Sequence, residues 1–242
     1  MHRSYADGII VENIGQVIEL SNDESKHVSK VLRMRIGDNL ELCDISGNAY
    51  IAEIVNLSGV VEVKVLEEID NNEPAKEVVL FQSLSKGTKM DLVIQKAVEL
   101  GVSKIVPVET EFSVVKIKEE GSKIVRWNRI AMEAVKQCKR SRIPVVCEPI
   151  KFGEAISKMS EYDLAVIAYE CDRENKYDDY FNNDINSVGI MIGPEGGFSV
   201  KEIEKARLKG IKTTTLGKRI LRTETAAIAL LAVTMFKLHE LD

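Results

Sequence analysis

The chain has 242 residues, 45% of them hydrophobic and 29% charged, with a formal net charge of −5. Those proportions fit an ordinary globular protein and exclude low-complexity disorder and collagen-like repeats. No apolar run reaches the ~20 residues of a membrane-spanning helix. The opening Met1-His2-Arg3-Ser4 carries no apolar leader segment, so the expected compartment is the cytoplasm.

Taken in chain order, the first third reads as β-rich. Ile9 to Val11, Gln16 to Leu20, Asn39 to Leu42, Ala49 to Ile54 and Val60 to Leu66 are short strand-like runs. Gly37-Asp38, Ser46-Gly47-Asn48 and Ser58-Gly59 supply turns between them. Short strands at close spacing predict a small barrel. Ser21-Asn22-Asp23-Glu24 has capping character, and a helix is expected from there to Met34. The polar stretch Asp70 to Pro74 precedes a change of rhythm, so a domain boundary is placed between residues 72 and 73.

Beyond it, strands alternate with helices. Strands are expected at Val78 to Phe81, Lys104 to Val108, Val145-Val146, Asp163 to Tyr169, Val188 to Ile192 and Thr213 to Leu216. Helices are expected at Lys89 to Leu100 with Gly101 as C-cap, Arg126 to Lys139, Phe152 to Met159, from Ser199, and Thr223 to His239. The apolar runs Asp163 to Tyr169 and Val188 to Ile192 suit buried parallel strands. Such alternation predicts a mostly parallel sheet covered on both faces, with ligands at the carboxyl ends of its strands. The last helix is apolar almost all round, which suggests burial on more than one face, within the monomer or against a second subunit.

Charge is unevenly spread. Residues 1–72 hold 6 basic and 13 acidic side chains, whereas residues 73–242 hold 27 and 25. An acidic average does not exclude nucleic acid, because binding depends on local patches. Basic clusters stand at Lys26, Lys30, Arg33 and Arg35, and at Lys136, Lys139, Arg140 and Arg142. Cys43, Cys138, Cys147 and Cys171 are scattered without metal-ligand spacing, so neither a zinc site nor a disulfide framework is expected. His2, His27 and His239 belong to no hydrolase motif.

Three loops fall at strand ends: Ala168-Tyr169-Glu170, Gly193 to Phe198, and Leu216 to Thr225. The second has three glycines in five residues and precedes a capping box, Ser199-x-x-Glu202. Its glycines permit close backbone approach to a ligand, although a tight strand-to-helix turn needs them equally. It is neither a Walker nor a Rossmann motif. In the third loop Lys218, Arg219 and Arg222 stand directly before a helix, where cations oppose the helix dipole. A conflict of this kind points to function.

Two of these segments carry a resemblance. I-G-P-E-G-G-F-S at 192–199 and L-G-x-R-I-L-R-T-E-T-A at 216–226 resemble the two C-terminal signatures of the RsmE family of SPOUT-class methyltransferases. Q-K-A-V-E-L-G-V at 95–102, R-W-x-R-I at 126–130 and H-V-x-x-V-L-R-M-R-x-G-D at 27–38 extend it over nearly the whole chain. Thr88-Lys89 and Lys136-Gln137-Cys138 depart from the family's usual residues.

The resemblance implies an α/β protein with an N-terminal PUA-like small β-barrel, residues 1–72, and a C-terminal SPOUT trefoil-knot methyltransferase domain, residues 73–242. The implied activity is methylation of N3 of a uridine in small-subunit (16S) ribosomal RNA by S-adenosyl-L-methionine. No metal and no membrane are involved, and a homodimer is implied. A SPOUT enzyme acting on another target atom and a non-catalytic ribosome- or RNA-binding protein are the alternatives. Arg222 is the candidate cation for charge developing on the uracil, and Glu195 the candidate base or orienting group. The cofactor would be cradled by Ala168, Tyr169, Glu170, Ile192, Gly193, Pro194, Gly196, Gly197, Leu216, Gly217, Ile220, Leu221 and Thr223. RNA would meet Arg3, Lys26, Arg33, Arg35, Lys139 and Arg140.

Overall fold

A computed structural model describes all residues except 7, 9–13, 117–120, 173–175, 183 and 242, and the side chains of 121 and 122. The chain forms two compact units. One joins Met1–Glu73 to Val135–Ile143, and the other joins Pro74–Ala134 to Pro144–Asp242.

The first unit is built on a five-stranded sheet. Its strands are β1 (Arg3–Tyr5), β2 (Val17–Glu19), β3 (Asn39–Cys43), β4 (Ala49–Asn56) and β5 (Glu62–Ile69), in the order β1-β3-β4-β5-β2. All pairings are antiparallel except β1 with β3. Alternation along β4 and β5 buries Tyr50, Ala52, Ile54, Val63 and Val65 on one face, where they pack with Leu40, Leu42 and Val28. Register shifts after Ile51 and Ile54 bend the β4–β5 pair. The three-residue β1 has no alternation long enough to read. The expected run Ile9 to Val11 lies outside the described residues.

The helix expected over residues 21–34 is shorter and wider than its sequence suggests. Ser21 caps α1 (Asn22–Lys26) by accepting from the Glu24 N–H. The chain then opens into a π-helical turn over His27–Val31. The cause lies in two serines. Ser25 Oγ is turned inward, donating to Leu20 O and accepting from the Val61 N–H. Ser29 Oγ takes up Ser25 O at 2.7 Å, competing for a carbonyl of the helical ladder.

The second unit carries a seven-stranded sheet in which every pairing is parallel. Its strands are β6 (Glu77–Ser83), β7 (Lys104–Glu109), β8 (Val145–Val146), β9 (Ile150–Lys151), β10 (Leu164–Ala168), β11 (Ser187–Ile192) and β12 (Lys212–Thr214). The order is β12-β10-β11-β6-β7-β8, with β9 also on β7. The helices are α2 (Lys89–Glu99), α3 (Gly121–Cys138, whose last turn belongs to the first unit), α4 (Phe152–Met159), α5 (Val200–Leu208) and α6 (Thr223–Lys237). Val79 and Phe81 of β6 face α4 and α5 through Phe152, Ile156, Met159, Ile203 and Ala206. The opposite face of β6 and β11 meets α6, which packs beside α2. Each large side chain buried this way stabilises the fold by roughly 1.5–3 kcal/mol relative to exposure.

Gly101 ends α2 at φ 95°, and a Cβ there would stand 2.7 Å from the Met235 methyl and 2.8 Å from Pro74. Only glycine meets both demands. One face of α6 is buried through Ala227, Leu230, Leu231, Thr234 and Met235. Its other face leaves Val233 40% and Phe236 60% exposed. Among the described residues no helix is long and apolar enough to cross a membrane.

Candidate functional site

Because β12, β10, β11 and β6 lie side by side and point the same way, the loops leaving their carboxyl ends gather along one edge of the sheet. Three of these loops enclose a cavity of about 380 Å³. Ala168, Tyr169 and Glu170 follow β10, Ile192 to Phe198 follow β11, and Thr215 to Arg222 follow β12. All of the sequence-predicted cofactor residues line it except Gly196. A Cβ on Gly196 would meet Phe112 Cβ at 3.0 Å, so that glycine serves packing behind the loop.

The glycines of the second loop answer a steric requirement. Gly197 has φ 68°, and a Cβ there would stand 2.7 Å from Glu170 Oε1. The Glu170 carboxylate therefore sits directly against the loop. A Cβ on Gly193 would press on the Phe198 ring at 3.0 Å. Ser199 then caps α5: it accepts from the Glu202 N–H, and Glu202 Oε2 accepts from the Ser199 N–H at 3.0 Å.

The loop after β12 ends on Arg222, an extended N-cap whose side chain makes no cap hydrogen bond. Lys218, Arg219 and Arg222 are exposed, and among the described residues none of them forms an ion pair. Thr223 lines the cavity, but its hydroxyl is committed to protein: it donates to Gly193 O at 2.6 Å and accepts from Gln82 Nε2 at 3.0 Å. Gln82, completely buried at the end of β6, thus ties the start of α6 to the glycine loop. A polar side chain inside a buried strand is the one sequence signal that points to it.

Glu195 is held by Lys89, whose Nζ lies 2.6 Å from Glu195 Oε1. Burial alone would raise the Glu195 carboxyl. Hydrogen bonds from the Lys89 ammonium and from backbone N–H groups, that of Lys86 among them, outweigh burial and hold the carboxyl below its usual range. Burial also pushes up the Tyr169 phenol, assisted by a hydrogen bond to Cys171. Phe198, Lys218, Arg219 and Ala226, from the two signature segments, also line the cavity, and Lys89 and Thr215 complete the lining from outside the three loops read from sequence.

The residues expected to touch RNA belong to the first unit and divide by burial. Lys26, Arg33, Arg35 and Lys139 are exposed. Arg3 and Arg140 are not available at the surface. Arg3 is 7% exposed and bonds Glu41 and Lys139 O. Arg140 is 5% exposed and pairs with Glu73 at 2.6 Å. Desolvating an arginine is costly unless carboxylates and carbonyls satisfy it, and here they do.

Comparison with known proteins agrees with this geometry. Residues 71–235 match the RNA methyltransferase domain family, and residues 20–63 match the RNA methyltransferase PUA domain. The ribosomal RNA small subunit methyltransferase E of Bacillus subtilis is 32% identical over 228 residues, covering 90% of this chain and 89% of that protein. The chain belongs to the ribosomal RNA small subunit methyltransferase E family. The member from Mesomycoplasma hyopneumoniae is 35% identical, over 88% of this chain and 91% of its own. The structure of the Neisseria gonorrhoeae member bound to S-adenosyl methionine superposes with a TM-score of 0.86 at 35% identity, covering 98% of this chain and 97% of that one. A putative methyltransferase from Legionella pneumophila, in complex with bound cofactor SAM, gives 0.84 at 34% identity, covering 97% and 96%. The family's two-part fold, PUA domain and parallel α/β methyltransferase domain, is the one expected from the sequence.

Proposed function

We propose that this protein methylates N3 of a uridine in small-subunit ribosomal RNA, with S-adenosylmethionine as methyl donor. The observation that carries the proposal is that both C-terminal signature segments converge on one cavity, at the strand ends where the fold gathers its loops.

The cavity suits the cofactor. Its volume lies within the ~300–1,000 Å³ usual for small-molecule sites. Gly193 and Gly217 offer backbone without side chains, Ile192, Leu216, Leu221 and Phe198 offer apolar wall, and the Glu170 carboxylate offers an acceptor for hydroxyl groups. When bound, the cofactor supplies an activated electrophilic methyl group. The remaining work is positioning, and it falls to this chain's residues. An imide nitrogen attacks well only after its proton is withdrawn, and the resulting charge spreads over the ring oxygens. Arg222, exposed at the cavity, is the cation that stabilises that charge in this reading. Glu195 orients the imide N–H as hydrogen-bond acceptor or, as base, takes up its proton. Lys218 and Arg219 extend the cationic rim toward flanking phosphates. In the first unit Lys26, Arg33, Arg35 and Lys139 are among the exposed cations available to RNA, with Lys30, Lys64 and Arg142.

The open apolar face of α6, with Val233 and Phe236, supports a homodimer. Sedimentation should give a dimer that Phe236→Glu dissociates. A monomeric wild type would refute the dimer.

The decisive test is nucleoside mass mapping of small-subunit RNA from cells lacking this protein, with restoration by the purified protein and S-adenosylmethionine. One methylated uridine should vanish and return. An unchanged map would overturn the assignment, and loss of a different nucleoside would redirect it to another target atom.

A further inference from the structure

Lys89 opens α2, on the chain leaving β6, whereas Glu195 lies in the loop leaving β11. These are neighbouring parallel strands, so one ion pair joins two of the loops at the sheet edge. The bond is not isolated, because the Lys86 N–H reaches the same Glu195 oxygen at 3.4 Å. Both side chains keep about a third of their surface, 30% and 33%, and both line the cavity, so the carboxylate is held by the ammonium and still accessible from the cavity. Other charged groups on the lining are Glu170 from the loop after β10 and Lys218, Arg219 and Arg222 from the loop after β12. Among the described residues none of these pairs with Glu195. Lys89 is thus the cation that sets where this carboxylate stands.

We propose that Lys89 is a positioning residue for methyl transfer: its ammonium fixes the Glu195 carboxylate at the cavity, where the carboxylate accepts a hydrogen bond from the substrate imide. This deepens the methyltransferase reading and rests on it. A free carboxylate on a glycine-rich loop samples many placements, and an error of about 1 Å at a reacting centre costs on the order of 100-fold in rate. The Lys89 cation holds one carboxylate oxygen, and the other remains for the substrate.

The test uses the full chain with Lys89→Met, Lys89→Arg and Glu195→Gln, read by single-turnover methyl transfer to small-subunit RNA across pH and by calorimetric titration with S-adenosylmethionine. Lys89→Met should lose about 10- to 100-fold in transfer rate while cofactor affinity changes less than about threefold, and Lys89→Arg should recover most of the rate. Without the ammonium the Glu195 carboxyl protonates at higher pH. The acid limb of the pH profile should therefore move upward in Lys89→Met and stay near wild type in Lys89→Arg. The double variant Lys89→Met/Glu195→Gln should be no slower than Glu195→Gln alone, because both substitutions break one device. A Lys89→Met protein with the wild-type rate and pH profile overturns the proposal, as do losses that multiply in the double variant. If the wild-type protein transfers no methyl to RNA, the functional reading fails by itself. The clamp is then judged by nuclear magnetic resonance of the Glu195 carboxyl carbon, whose titration midpoint rises in Lys89→Met if the clamp exists and stays put if it does not.

Discussion

The two units use the same side chains to opposite ends. In the first, Arg3 and Arg140 are turned inward onto Glu41 and Glu73, and half-buried Lys136 is paired with Glu24. In the second, Lys218, Arg219 and Arg222 stand exposed around a cavity with no carboxylate spent on them among the described residues. Glu73 shows how far the inward arrangement goes. Its carboxylate accepts from Arg140 and from the backbone N–H groups of Ser141 and Arg142, both at 2.8 Å, and so holds the segment 139–142 in the first unit. A basic cluster read from sequence is therefore a count of charges. Whether those charges bind a ligand or the protein itself is decided by which carboxylates the fold brings to them.

The largest way to break this contrast is Glu73→Ala. It removes the main partner of a buried arginine and should cost about 3–5 kcal/mol of stability, measured by denaturant unfolding. A loss under about 1 kcal/mol would put Arg140 in the class of surface charges.

Next comes Arg222→Ala. It should leave stability and cofactor affinity near wild type while lowering methyl transfer by about 10²–10³ in single-turnover assays, as expected for one lost stabiliser of developing charge. Near-normal turnover would remove Arg222 from the chemistry.

Gln82→Leu sharpens the comparison inside the second unit. The Thr223 hydroxyl loses its donor, so cofactor affinity should fall by about five- to tenfold, the equivalent of ~1–1.5 kcal/mol for one buried hydrogen bond. Calorimetry at constant temperature measures it, and an unchanged affinity would mean that the glycine loop holds its shape without the tie.

The smallest effect is expected at the exposed cations of the first unit. Arg33→Gln with Arg35→Gln should weaken RNA binding modestly and reduce the slope of log affinity against log salt by about 1–2. Arg3→Gln, by contrast, should lower stability and leave the salt slope alone. A salt slope that responds to Arg3 would contradict its inward placement.

Much of the second unit was legible from residue order. The apolar runs at 163–169 and 188–192, the Gly101 cap and the Ser199–Glu202 box mark local structure by period and by capping chemistry. The signature loops were legible because glycine and misplaced charge are local signals. Lys89 and Gln82 were not, because their partners lie 106 and 141 residues away in sequence. The π-helical turn after α1 was hidden for a similar reason: Ser25 is turned inward by a bond to Val61, 36 residues on.

Residue order by itself determined the alternation of strands and helices, the change of rhythm near residue 73 and the two segments that mark the family, since each depends on neighbours within a few positions. Tertiary structure alone decided that Arg3 and Arg140 are internal ties and that Lys89 faces Glu195. Those outcomes depend on strand order and on the cost of leaving a buried charge without a partner, and neither is written in any short stretch of the chain.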